Sequence, residues 1–249
     1  MWNNYKKRLK ALVKENRDNQ KNSELFQQDQ IAITQLLKMF NDEFFVPITR
    51  WSLPPRELLH VCNDILLNKR KNIIEFGTGY STIFICKFIQ INKLKVDFIS
   101  VDNDNMWQNT ISDILNNLDL LYEVRLVLAP VEDVNERILH SNQTKWYDSQ
   151  ILDKQLHSVN KIDLVIVDGP HGSECQYSRY SAIPYLKNKL TDNFCIFLDN
   201  TNRIQEFEIA KNWKKDLNCN IKNYSTYCHL TLGSSIITAP YGVKPKGWK

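Results

Sequence analysis

Residues 73–82 read IIEFGTGYST: β-branched and aromatic residues first, glycines at Gly77 and Gly79 next, then the opening of a helical pattern at Ser81. A short apolar strand that turns on glycine and runs straight into a helix is the first half of a βαβ unit. The same texture continues on either side of it once Lys71 is passed. Short apolar runs predict strands over 72–76, 97–101, 124–128, 163–167 and 194–198, with helical patterns filling most of the gaps. The tail, YSTYCHLTL over 224–232 and SSIITAP over 234–240, reads as two further strands with Gly233 between them, an antiparallel hairpin that closes the sheet. The expected class is therefore α/β: a mainly parallel seven-stranded sheet with an antiparallel C-terminal hairpin and helices on both faces.

Upstream of Lys71 the texture is different. Up to about Gln30 the chain is polar and rich in Lys, Asn and Gln, which suits either a loosely attached helix or a frayed arm. Ile31, Ile33, Leu36, Leu37 and Phe40 then form one helical stripe, and Leu58, Leu59, Cys62, Ile65 and Leu66 form a second. Between them PITRWSLPP, residues 47–55, has three prolines that break helix and favour an ordered loop. This divides the chain into a helical N-terminal extension with an ordered loop, residues 1–70, and an α/β domain, residues 71–249.

A length of 249 residues suits a single sizeable core, and 43% hydrophobic with 24% charged residues argues against both disorder and a fibrous repeat. The net charge of +4 comes partly from the ends, YKKRLK over 5–10 and KPKGWK over 244–249, which either meet an anionic partner or are simply solvated. None of the six cysteines has C-x-x-C spacing, and Cys86 and Cys195 sit within apolar runs, so a reducing compartment is expected. With neither a signal-peptide core nor a run long enough to cross a bilayer, the expected location is the cytoplasm.

The chemistry concentrates at strand ends. Gly77 and Gly79 allow a sharp turn and bring backbone N–H groups near a ligand, and the helix that follows offers its N-terminus to an anion. A dinucleotide fingerprint needs a third glycine at position 82, where Thr82 stands. This favours S-adenosylmethionine, whose carboxylate takes the place of a pyrophosphate, although a plain βα turn has the same pattern. Asp102 lies twenty-five positions after Gly77 and can accept both ribose hydroxyls, or merely cap the next helix. APVED, residues 129–133, falls where an adenine is expected.

In IDLVIVDGPHG, residues 162–172, an apolar strand delivers Asp168 to its end, and Gly169 and Pro170 turn the chain, so the carboxylate faces the crevice. His171 follows and is either a surface residue or a general base beside that carboxylate. CIFLDNTNR repeats the arrangement with Asp199 and Asn200. Glu75, Asp102, Asp168 and Asp199 thus end strands on one edge, which a polar ligand site explains and core packing does not.

Taken in order, PITRWSLPP, EFGTGYST, WYD at 146–148, VDGPHG, RYSAIPYL at 179–186 and LDNTNR with a downstream Trp213 resemble the class I S-adenosylmethionine-dependent methyltransferases. Within them they resemble a bacterial branch with a DGP motif after the fourth strand. The resemblance implies a Rossmann-like domain in which Glu75, Gly77, Gly79, Ser81 and Asp102 hold the cofactor. It also places Asp168 and His171 near the transferred methyl, Asp168 touching the cofactor as well. DGP is similar to a motif of plant sugar-acid O-methyltransferases, which points to a sugar hydroxyl and to carbohydrate biosynthesis. Asp168, Asp199 and Asn200 look like the ligand set of divalent-metal-dependent O-methyltransferases, which would hold Mg²⁺ or another divalent cation. Alternatively, Asp199 and Asn200 only cap the next helix.

Trp51, Tyr80, Arg179 and Arg203 are the residues expected to line the acceptor pocket, since rings stack on sugars and guanidinium groups pair with carboxylate or phosphate. Three rival readings stay open. One is an NAD-dependent oxidoreductase. The others are a nucleic-acid-binding protein, though the chain has no interior basic stripe, and a non-catalytic protein on the same scaffold. A homo-oligomer is compatible with all of them.

Overall fold

In the computed structural model, which describes residues 2–40, 44–134, 140 and 142–241, the first expected strand forms as β1 (Asn72–Phe76). The other parallel strands are β2 (Asp97–Asp102), β3 (Arg125–Leu128), β6 (Ile162–Val167) and β7 (Leu190–Asp199). With β8 (Asn220–Asn223) and β9 (Tyr227–Leu232) they make a seven-stranded sheet in the order β3-β2-β1-β6-β7-β9-β8. β1, β2, β3, β6 and β7 run parallel, and β9 pairs antiparallel with both β7 and β8. A separate two-stranded ribbon joins β4 (Val131–Asp133) to β5 (Lys145–Tyr147).

Alternate side chains of the central strands face opposite layers, as a sheet covered on both faces requires. Ile73, Leu164, Ile166, Cys195 and Phe197 pack with α2 (Pro55–Leu67), α3 (Tyr80–Ile91) and α4 (Asn105–Asn117). Ile74, Phe76, Val165, Val167, Ile196 and Leu198 face α5 (Ser149–Gln155), α6 (Ala182–Leu186) and α7 (Ile204–Leu217). The chain runs β1, β2, β3 toward one side and returns to lay β6 against the other side of β1. The crevice beyond the C-terminal ends of β1 and β6 is therefore the topological switch point, where open α/β sheets bind ligands.

The polar N-terminus is one long helix, α1 (Trp2–Leu37), not a frayed arm. Residues 5–24, including the basic run at 5–10, are exposed. Its last third packs on the domain, with Ala32 and Leu36 buried in the α2 layer and Asp29 paired with Arg56 at 2.7 Å. The basic run at 244–249 lies outside the described residues.

One strand assignment is corrected. The hairpin does not pair 224–232 with 234–240; it joins β8 to β9 through a turn in which Ser225 takes φ +81° and donates its N–H to Asn223 Oδ1 at 2.7 Å. β8 is an edge strand of sequence NIKN, and its polar composition hides it from an apolar pattern search. Gly233, at φ +83°, turns the chain away from the sheet at a point where a Cβ would lie 2.8 Å from the Asp192 carbonyl oxygen. Residues 234–240 then follow α2, with Ile236 N donating to Asn68 Oδ1 at 2.8 Å and Asn63 Nδ2 donating to the Thr238 carbonyl at 3.1 Å.

All six cysteines are free, and five of them are buried. Among the described residues no helix is long and apolar enough to cross a membrane.

Candidate functional site

A cavity of about 920 Å³ opens at the switch point. Its wall includes Trp51, Gly77, Gly79, Tyr80, Ser81, Asp102, Asp168, His171, Arg179, Asp199, Asn200 and Arg203, residues expected at the site and brought together from five loops. Glu75 and residues 129–133 are not on this wall.

One half of the cavity is built on the turn after β1. Gly77 has φ +101°, and its N–H donates to the Val101 carbonyl at 2.8 Å. The Thr78 N–H donates to Asp102 Oδ2 at 2.8 Å and the Asp104 N–H to Oδ1, also at 2.8 Å, so backbone groups from two loops orient the Asp102 carboxylate. Burial raises the pKa of Asp102, against the lowering by those N–H groups. Trp107 donates its Nε1–H to the Thr78 carbonyl at 2.8 Å and stands beside the turn.

Glu75 lies beneath the turn and is fully buried. It accepts hydroxyl hydrogen bonds from Ser81 and Thr82, each at 2.5 Å, and from Ser100 at 2.7 Å. Burial outweighs these donors and pushes its pKa up to about 7. The Thr82 hydroxyl also accepts the Gly79 N–H at 2.9 Å. The residue that replaces the third glycine of a dinucleotide fingerprint thus fastens the helix N-terminus to the carboxylate below.

The other half is acidic. Asp168 pairs with Arg179 Nη2 at 2.9 Å, and Arg179 Nη1 donates to the Asp199 carbonyl at 3.1 Å. Arg179, expected to meet an acceptor, is 3% exposed and is occupied in holding the two loops together. Burial and the adjacent Asp199 carboxylate push the pKa of Asp168 well up, with the guanidinium opposing them. Asn200, at φ +63°, places its amide against Asp199 Oδ2, while Asp199 Oδ1 is buried without a partner.

His171 is exposed and does not hydrogen-bond to Asp168. Its Nδ1 meets the Ser173 hydroxyl at 2.7 Å, and its ring packs edge-on against Trp51 at 5.0 Å. Trp51 is 57% exposed and carries Arg50 over its ring at 4.5 Å. Arg203 stands on the same rim, half exposed, 3.5 Å from Glu206. Tyr80 reaches the wall but is 4% exposed, its hydroxyl buried without a partner.

Sequence reasoning missed Arg50, Trp107, Tyr147 and Glu57. Glu57 is in the first turn of α2, fully buried, and neither of its carboxylate oxygens has a hydrogen-bond partner. Burial, Asp199 and Asp168 raise its pKa well above the usual range. An acid that follows two prolines at a helix start reads as a solvated dipole partner, so only the chain tracing reveals its position.

This architecture is the class I methyltransferase fold. It is similar to that of an SAH-bound methyltransferase from Podospora anserina, PaMTH1, with a TM-score of 0.54 at 12% identity over 82% of this chain and 88% of that one. It is also similar to an O-methyltransferase from Bacillus cereus in complex with SAH, with a TM-score of 0.53 at 10% identity over 83% and 91%. At such identities the likeness is one of fold. No family model and no curated protein sequence matches the chain.

Proposed function

We propose that the chain is an S-adenosylmethionine-dependent methyltransferase acting on a hydroxyl of a small, sugar-like acceptor. The observation that carries this is the division of one switch-point cavity between a nucleoside-type half at Gly77, Gly79 and Asp102 and an acidic half at Asp168 and Asp199. That both similar structures hold SAH supports the cofactor. The hydroxyl of Thr82, locked onto Glu75 and Gly79, supports it against NAD, because the turn is closed where a dinucleotide motif needs glycine.

The sulfonium is already an activated donor, so the protein's part is alignment and proton removal. When bound at Gly77, Gly79 and Asp102, S-adenosylmethionine would supply an electrophilic methyl group on a neutral-thioether leaving group. The acceptor proton passes to Asp168, held at the cavity edge by Arg179. In the alternative, Asp168, Asp199 and Asn200 would hold a divalent cation of the Mg²⁺ or Mn²⁺ type in place of proton removal by Asp168, with Asp199 Oδ1 buried and unpartnered as the free donor. Such an ion, when bound, would lower the pKa of an acceptor hydroxyl. Exposed Trp51 under Arg50, with Arg203 across the rim, suits a sugar face carrying an anionic group.

Calorimetry with S-adenosylmethionine, S-adenosylhomocysteine and NAD tests the cofactor. Micromolar binding of the first two is expected. Silence from both, or tighter binding of NAD, overturns the reading.

A further inference from the structure

The basic run at the start of α1 has no part in the reaction just described. From Lys6 to Lys21 the helix has seven lysines and arginines against two acids, Glu15 and Asp18, a net +5. The whole chain carries +4, so its positive excess is confined to this one stretch. Residues 5–24 are exposed, and among the described residues Lys7, Arg8, Lys10, Lys14, Arg17 and Lys21 form no ion pair.

The residue types are sorted around the helix. Leu9, Leu12 and Val13, each about half exposed, share one face with Tyr5. At about 3.6 residues per turn, Arg8 borders that stripe on one side and Lys10 and Arg17 border it on the other, where Lys14 and Lys21 continue the basic row. Leu36, which packs in the α2 layer, follows Leu9 by about seven and a half turns and so lies on the opposite face. Asp18 precedes Leu36 by about five turns and shares its face. The apolar stripe therefore faces away from the domain, with cations along both of its edges.

We propose that the first half of α1 is a docking surface for a bilayer rich in anionic phospholipid, along which the helix lies. The headgroups meet the basic rows and the acyl boundary takes Leu9, Leu12 and Val13, while the lysine and arginine stems reach past the stripe to the phosphates. No described helix is long and apolar enough to cross a membrane, so the contact is along the surface. Each rival partner satisfies only half of the pattern. A nucleic acid neutralises the charge and leaves the aliphatic stripe in water, and a second copy of the helix covers the stripe but brings two positive segments together.

The test is flotation of the full-length protein with vesicles of phosphatidylcholine alone and of phosphatidylcholine with about 30% phosphatidylglycerol. Wild type is expected to float with the anionic vesicles, to stay behind with the neutral ones and to be released by salt. Leu9→Gln with Leu12→Gln keeps the charge and the helix propensity and is expected to weaken vesicle affinity about tenfold or more. Lys10→Gln with Arg17→Gln keeps the stripe and is expected to weaken it comparably. All four positions are exposed, so thermal melts are expected to match wild type; if the leucine variant melts early, Leu9→Ala with Leu12→Ala replaces it with the same expectation. Absence of wild-type flotation with the anionic vesicles overturns the proposal. So does undiminished affinity in the leucine variant, which would make the contact purely ionic. Tighter binding to a mixed-sequence oligonucleotide than to the vesicles overturns it in favour of a nucleic acid. A dimer in sedimentation that the leucine variant splits, with no flotation, overturns it in favour of a second copy.

Discussion

Gly77 and Gly169 lie backbone against backbone: a Cβ on Gly77 would sit 3.0 Å from Gly169 N, and one on Gly169 would sit 2.9 Å from Gly77 Cα. The two turns that form the cavity floor therefore meet at a contact with no room for a side chain. Gly169→Ala would also run into the Tyr147 hydroxyl. It is expected to destabilise the fold by about 1–3 kcal/mol, the usual consequence of overpacking against rigid backbone, and to impair S-adenosylhomocysteine binding. Gly79→Ala is the control, because its Cβ meets only Trp107 Nε1, at 3.9 Å. Urea melts that rank the two variants the other way would show that the contact is not what the glycines serve.

Asp102 is held by two backbone N–H groups and faces the nucleoside half of the cavity. Asp102→Ala frees the turn at Thr78 and, on the function proposed above, removes the acceptor of the ribose hydroxyls. The loss of affinity for both S-adenosylmethionine and S-adenosylhomocysteine is expected to be roughly 1–3 kcal/mol, read by calorimetry. An unchanged affinity would move the ribose elsewhere.

Glu75 links the turn to protonation. Its folded pKa of about 7 lies above the usual 4.5, so between these values the native state holds more protons than the unfolded one. Stability from this group is then fully present below about pH 4.5 and is lost as pH rises to about 7, with little further change above. At about 1.4 kcal/mol per pK unit, the loss is on the order of 3 kcal/mol. Glu75→Gln should remove that slope from a series of denaturant melts across this range. A variant with the wild-type slope would assign it to another group.

The central strands are legible in the sequence because they are buried on both faces and read as continuous apolar runs; β1 lies where IIEF places it. β8 is not legible, since an edge strand of sequence NIKN has no buried face to pattern, and SSIITAP misleads because Ile236 and Ile237 are strand-like in type yet exposed. At the site, Gly77, Asp102, Asp168 and Asp199 are legible because each ends a strand. The occupation of Arg179 is hidden, because its partners Asp168 and Asp199 come from separate strands. Glu57 is hidden for the same reason, its neighbours being more than a hundred residues away in sequence.

The acid or base that serves the acceptor is the sharpest issue, and Asp168 and His171 separate there. Asp168 is anchored by Arg179 at the cavity edge, whereas His171 turns its Nδ1 to Ser173 and its ring to Trp51. Asp168→Asn keeps the shape and the partner within reach but removes the negative charge and nearly all of the basicity. Turnover is expected to fall by about 10²-fold or more, the typical worth of general-base help, with S-adenosylmethionine affinity nearly unchanged. His171→Ala should instead act mainly on the acceptor KM, since the ring supports Trp51 at the rim. Single-turnover measurements separate the two effects, because proton removal belongs to the chemical step and rim packing to binding. If His171→Ala lowers the single-turnover rate as much as Asp168→Asn does, the two residues act together on the proton and the ring must turn from Ser173 to do so. If Asp168→Asn retains near-normal single turnover, Asp168 is a structural partner of Arg179 and another group takes the proton.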